Sequence, residues 1–315
     1  MGELQPSIYY EDINSVKKRI EELIDMGYDK EEIVKMVTKL PRILKYSSER
    51  IEKSFEGLST IFKEKKDIIN KTEKNPFILS RDVNNIDQII ELFISLGYSR
   101  EDATKIIKTI IGMMSIKESS IQKKIDDLLS LGYSKIEIIV MTKTVPVIFT
   151  YSIENIKQKI FDVMSLGFSY EKVIGMTKRF PYIFTYNIES MKQKIGVILS
   201  FGYTLEEVLY IIDVYPTVFS FSVENIQQKL AFYNSIGLHD IILIRSQILI
   251  QSFSLSYARY HYYLDNGIQI NMDNYNPLFM GNKKFEIITG ISKDKLLEMY
   301  PCEEVIIENT NVKSL

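Results

Sequence analysis

Apolar residues in this chain return with a helical rhythm, and the rhythm itself repeats. From Ser152 to Tyr186, Ile156, Ile160 and Val163 stand at i, i+4 and i+7, one face of a helix. Ser152 is placed to cap its start. Gly167 is placed to end it, because glycine takes the left-handed conformation past a helix end without a Cβ clash. The same face returns as Ile121, Ile125 and Leu128, and as Ile226, Leu230 and Tyr233. Just past the glycine, Asp29, Ser99, Ser134, Ser169 and Thr204 share one frame, with Glu32, Asp102, Glu137 and Glu207 three residues later. Ser134/Glu137 and Thr204/Glu207 predict capping boxes, and Asp29/Glu32 and Ser99/Asp102 looser versions. A second helix follows, with Ile33, Met36, Val37 and Leu40 on its apolar face. It stops before a proline, since the residue preceding proline avoids the helical region. The short apolar piece after it, such as Pro181-Tyr182-Ile183-Phe184, predicts one tight helical turn.

Three series set the period. Gly97, Gly132, Gly167, Gly202 and Gly237 are thirty-five residues apart, and Gly27 lies two periods before Gly97, with Phe62 at the missing copy. Pro41, Pro76, Pro146, Pro181 and Pro216 keep the same spacing, with Ile111 filling the gap. So do Val16, Ile51, Ile86, Ile121, Ile156, Met191 and Ile226. One copy has apolar faces that it cannot bury alone, and stacking buries them. The expected fold is therefore an all-α, right-handed helical-repeat solenoid of about seven to eight copies of thirty-five residues. The array is expected to span residues 12–267, with residues 268–315 as a C-terminal capping segment. Its last copy is shorter: Gly267 follows Gly237 by thirty, and Ser246-Gln247-Ile248-Leu249 replaces the proline segment. Beyond Gly267 come Asn271, Asn274 and Asn276, then a small helical cap with Ser292 and the Lys295–Tyr300 run.

Composition narrows the function. Of 315 residues, 45% are hydrophobic and 25% charged, which excludes wholesale disorder. Cys302 is the only cysteine, so no disulfide framework or thiolate metal cluster exists, and a reducing compartment is expected. No apolar run approaches the roughly 20 residues that span a bilayer. Residues Met1 to Asn14 carry Glu3, Glu11 and Asp12 and no cation, unlike secretory or transit leaders. The histidines, His239 and His261, are far apart, and no metal-ligand spacing or glycine-rich phosphate loop is present. Glu303-Glu304 reads as a solvated tail. The chain is expected not to be an enzyme and to need no cofactor.

Cations are the live candidates. Lys108, Lys143 and Lys178 precede the proline frame by three residues, and Lys39, Lys74 and Arg179 by two. Lys124, Lys159, Lys194 and Lys229 share a frame in the first helix, and Arg245 and Arg259 extend the set. Stacking turns a shared frame into a stripe that could track phosphates, each contact releasing a counterion. The bland alternative is a solvated face: Glu154, Glu189 and Glu224 also share a frame, and Asp213 interrupts the first series. The net charge of −2 weighs against nucleic acid. Tyr257-Ala258-Arg259-Tyr260-His261-Tyr262-Tyr263 could stack on bases, but such rings more often pack in the terminal repeats.

The order Leu166-Gly167-Phe168-Ser169 to Phe180-Pro181-Tyr182-Ile183-Phe184 resembles the repeats of the mitochondrial transcription termination factor (mTERF) family. So does Leu131-Gly132-Tyr133-Ser134 to Val145-Pro146-Val147-Ile148-Phe149, followed by Ser152. The resemblance covers Asp12 to Gly267. It implies a curved, half-ring array with a basic concave face, nucleic-acid binding without catalysis, and a role in gene expression. Double-stranded DNA or RNA is the partner it implies, for a monomer with no membrane association. A protein-interaction scaffold without nucleic-acid binding stands as the alternative, since helical solenoids present extended surfaces to many partners. An Ile-, Lys- and Tyr-rich chain without a presequence is expected in a bacterial cytoplasm, or else in a mitochondrion or chloroplast after presequence removal.

Overall fold

The computed structural model describes residues 13–80, 86–111 and 117–302, and they form helices and turns without a strand among them. Each copy pairs two helices. They are α1 (Ile13–Asp25) with α2 (Lys30–Lys39), α3 (Ser48–Ser59) with α4 (Lys65–Lys74), α5 (Ile86–Ser95) with α6 (Arg100–Ile110), and α7 (Glu118–Ser130) with α8 (Lys135–Thr144). Then come α9 (Ile153–Met164) with α10 (Tyr170–Arg179), α11 (Ile188–Ser200) with α12 (Leu205–Val214), and α13 (Val223–Ser235) with the short α14 (Ile241–Ile244). A last first helix, α15 (Phe253–Asp265), is followed by α16 (Asn282–Thr289) and α17 (Lys293–Met299). Glu303-Glu304 lies outside the described residues.

The local signals produce the ends of these helices. Leu40, Val145, Phe180 and Tyr215 precede prolines and sit at φ −140°, −131°, −140° and −129°, out of the helical region. Each proline then opens a 3-10 turn: Pro41–Lys45, Pro76–Ser80, Pro146–Thr150, Pro181–Thr185 and Pro216–Ser220. Ser246–Ile250 makes the same turn without proline. The third copy has no proline, and its second helix runs to Ile110. Gly167 has φ +111°, as the cap at a first-helix end requires. Where Phe62 stands for glycine, the described residues hold no left-handed non-glycine residue, and Thr60 ends α3 in helical geometry. Capping boxes close on Ser134/Glu137 and Thr204/Glu207, and also on Asp29/Glu32, which is complete where a looser form is expected.

By its contacts the chain divides into two compact units, Met1–Ile156 and Lys157–Leu315. In the first, Leu23, Met36, Ile43, Ile51 and Leu79 are buried together, each such side chain stabilising by about 1.5–3 kcal/mol before ordering costs. In the second, the tyrosine-rich α15 packs its rings inward. Phe232 meets Phe253 and Tyr260 edge to face, and Tyr262 and Tyr263 meet Phe285 likewise. Past Gly267, Asn274 Oδ1 accepts the Asn271 N–H at 2.7 Å, and Ser292 caps α17 through the Lys295 N–H at 3.3 Å. The Asn276–Phe279 turn and α17 both pack on α15.

Candidate nucleic-acid interface

The lysine column of the first helices points inward. Lys124 donates to the Tyr151 carbonyl, Lys159 to that of Tyr186 at 2.6 Å, Lys194 to that of Phe219 at 2.6 Å, and Lys229 to that of Leu249. Each acceptor lies at the end of the 3-10 turn that closes the same copy, where unsatisfied carbonyls make the local field negative and favour a cation. Lys124 and Lys194 are 8% exposed and Lys229 is 2% exposed. Lys229 also lies 4.5 Å from the Phe221 ring and Lys194 5.5 Å from the Tyr186 ring, aromatics of the preceding turn. Burial pushes the ammonium pKa down at all three, to about 8 at Lys229. Arg259 occupies the same frame once the shortened copy is allowed for. It donates to the Leu278 carbonyl at 3.1 Å and to Asn282 Oδ1 at 2.9 Å, and is 2% exposed. Four of these five cations are buried struts inside the copies, and Lys159, bound in the same way, is half-buried.

The second-helix cations lie nearer solvent, and several bind neighbouring copies. Lys39 donates to the carbonyls of Glu73 and Lys74 at the end of α4, at 3.2 and 3.1 Å. Arg179 does the equivalent four copies on, binding the backbone of Asp213 and its Oδ1, the latter at 2.9 Å. Asp213, which breaks the lysine series in the sequence, is thus the partner of Arg179, and Lys172 reaches its other oxygen at 3.4 Å. Lys143 pairs with Asp102 of the preceding copy at 2.8 Å, and that ammonium holds the Asp102 carboxyl below its usual range. Lys108 lies 5.0 Å from the Phe62 ring. Arg245 donates to Asn276 Oδ1 at 3.2 Å and faces the Tyr275 and Phe279 rings. Lys74 is exposed, and Lys178 is half-buried.

A different set of side chains faces water. On α9, α11 and α13, two adjacent outward positions hold Lys157-Gln158, Lys192-Gln193 and Gln227-Gln228, all exposed except the last pair, which is partly so. On these three helices neither column contains a carboxylate, whereas the same frame holds Glu52 on α3 and Asp87 on α5. Its signal in the sequence is the amide series Gln158, Gln193, Gln228 at the array's period, weak beside the lysine frames because amides carry no charge.

Among the described residues, no group of three His, Cys, Asp or Glu could hold a metal, and no helix is long and apolar enough to cross a membrane. Stacked helix pairs, braced within copies by inward cations and linked between copies by cations nearer solvent, define a helical-repeat protein. The mTERF family model matches residues 8–113, 62–165, 113–225 and 163–254, and the chain belongs to that family. Members are non-catalytic nucleic-acid-binding proteins of gene expression, and this chain is of that general kind. No curated protein matches it.

Proposed function

We propose that this chain binds double-stranded DNA or RNA through the outward side chains of its first helices, acting in transcription termination or a related step of gene expression. The observation that carries this reading is the carboxylate-free pair of columns on α9, α11 and α13. Lys157 and Lys192 would meet phosphates, and Gln158, Gln193 and Gln228 would donate and accept at sugar or base edges. Glu189 pairs with Lys192 at 3.0 Å, but both are exposed, and such pairs are weak and screened. Lys74, Lys143 and Arg179, exposed at second-helix ends, are further phosphate contacts in this reading. The segment 268–315 would close the array.

Fluorescence anisotropy with labelled duplex DNA, single-stranded DNA and RNA, titrated in salt, tests it. Binding should weaken steeply with salt, and Lys157→Gln should lower the log–log slope by roughly 1. Absence of binding to all three at low salt would reject the reading.

One observation favours a protein partner instead. The second helices leave apolar side chains in water: Ile136 and Val140 on α8, and Leu205, Tyr210 and Val214 on α12, with Ile136 75% exposed. Retained partner capture by a chain that binds no nucleic acid would support this reading.

A further inference from the structure

Three outward positions of the second helix change character between α2 and α12. On α2 they hold Lys30, Lys35 and Lys39, and on α12 Leu205, Tyr210 and Val214. All six side chains are exposed. Packing within the chain does not call for the apolar set, because these positions accept lysine on α2. Ile244 on α14, which packs on α12, is exposed as well. Apolar side chains grouped in water on one face mark a surface that a partner covers.

Charge and shape say what kind of partner. From Ile195 to Ile244 the chain has a single Lys or Arg, Lys229, and it is buried. Glu206 and Asp240 are exposed at the starts of α12 and α14. Thr204 and Glu207 close the α12 capping box without Glu206, and Asp240 makes no cap hydrogen bond. Lys172 and Arg179 reach over from α10, but both bind Asp213. The border of the apolar face is therefore acidic. α14 also ends after four residues, so beside the second half of α12, where Tyr210 and Val214 stand, the next copy has a turn in place of a helix. The neighbour missing there is helical.

We propose that Leu205, Tyr210, Val214 and Ile244 dock an amphipathic, basic α-helix of a partner protein. Its apolar stripe lies on these side chains, and Lys or Arg beside the stripe meets Glu206 and Asp240. This rests on the protein-partner reading above and names the chemistry of the partner. It needs nothing from the nucleic-acid reading.

The test is fluorescence anisotropy with the full chain and two labelled synthetic helical peptides. One carries leucine at i, i+3, i+4 and i+7 with lysine beside the stripe, and its twin has glutamate for each lysine. The lysine peptide should bind at least about tenfold tighter than its twin. Leu205→Lys, Tyr210→Lys and Val214→Lys together copy α2, so this variant should keep its helicity and Tm and lose the lysine peptide. Glu206→Gln with Asp240→Asn should weaken the lysine peptide alone. Ile136→Gln with Val140→Gln on α8 should leave both affinities unchanged. Equal binding of the two peptides overturns the proposal and leaves the protein-partner reading standing. Binding of neither overturns both. A lysine peptide that the α12 triple variant still holds, or that the α8 variant loses, also overturns the proposal. So does a dimer seen by light scattering and lost in the α12 triple variant, which would assign the face to a second copy of this chain.

Discussion

The Tyr98 hydroxyl and Thr142 Oγ1 lie 2.7 Å apart in a buried contact between successive copies, and Tyr28 with Thr72 repeats it at 2.6 Å. Thr142 donates to the Ile138 carbonyl at 2.7 Å, so the tyrosine is the donor in the pair. Burial raises the Tyr98 phenol to about 12, keeping it protonated. Tyr133 and Thr177 hold the same residues at the same spacing, whereas Phe168 is matched by Ile212 and Lys63 by Ile107. Threonine occurs only where a hydroxyl needs an acceptor.

That pairing predicts strong coupling. Thr142→Val should cost about 1–3 kcal/mol, because it leaves a buried hydroxyl unmatched. Tyr98→Phe should cost about 1 kcal/mol. The double variant copies Phe168/Ile212 and should be more stable than the sum of the two losses implies, read from denaturant midpoints. Simple additivity would refute the pairing.

Two glycines should respond oppositely to alanine. At Gly167 the backbone is left-handed, and an added Cβ would meet Leu209 Cδ1 at 2.9 Å. Gly167→Ala should destabilise by at least about 1 kcal/mol. Gly196 lies inside α11, and its Cβ would have open space. Gly196→Ala should stabilise by about 0.5–1 kcal/mol. Thermal or chemical unfolding of both variants reads the signs.

Lysines two residues apart on α9 should divide the two roles. Lys157 faces water, and Lys159 binds the Tyr186 carbonyl. Lys159→Gln should lower stability by about 1.5 kcal/mol and leave the salt dependence of binding alone. Lys157→Gln should do the reverse. If both change only stability, the outward columns do not touch phosphates.

Lys229 should give a pH signature. Burial lowers its folded pKa to about 8, below the unfolded value near 10.4. Between these values the unfolded state binds more protons, so the Lys229 contribution to stability rises with pH. Below pH 8 the full cost of burying the charge remains. Relative to Lys229→Met, wild type should gain stability from about pH 8 to 10.4, a difference that cancels the titration of other groups. A flat difference across that window would mean that Lys229 is not buried as a charge.

Helix ends and turns were legible in the sequence because they depend on local backbone chemistry: Pro216 after Tyr215, Gly167 after Leu166, Ser134 before Glu137. The direction of the lysine column was also encoded, though charge obscures it. Lys124 stands three after Ile121 and four before Leu128, on the apolar face, and an aliphatic stem with a carbonyl at its tip is at home there. Pairs such as Tyr98/Thr142 and Arg179/Asp213 could not be read that way. They require knowing which turn of one copy abuts which turn of the next, and a period alone leaves that offset open.

The seventh copy shows which dimension of the stack matters. Its second helix, α14, has four residues where α12 has ten, yet Lys229 still reaches the end of the turn that follows, as Lys194 does in the copy before. The ammonium gauges the span from first helix to turn, and the second helix can shrink as long as that gauge is satisfied. Length variation in such arrays should therefore collect in second helices, and a chain cut after a complete turn should hold together where one cut at the glycine, with its lysine deprived of a carbonyl, should fray.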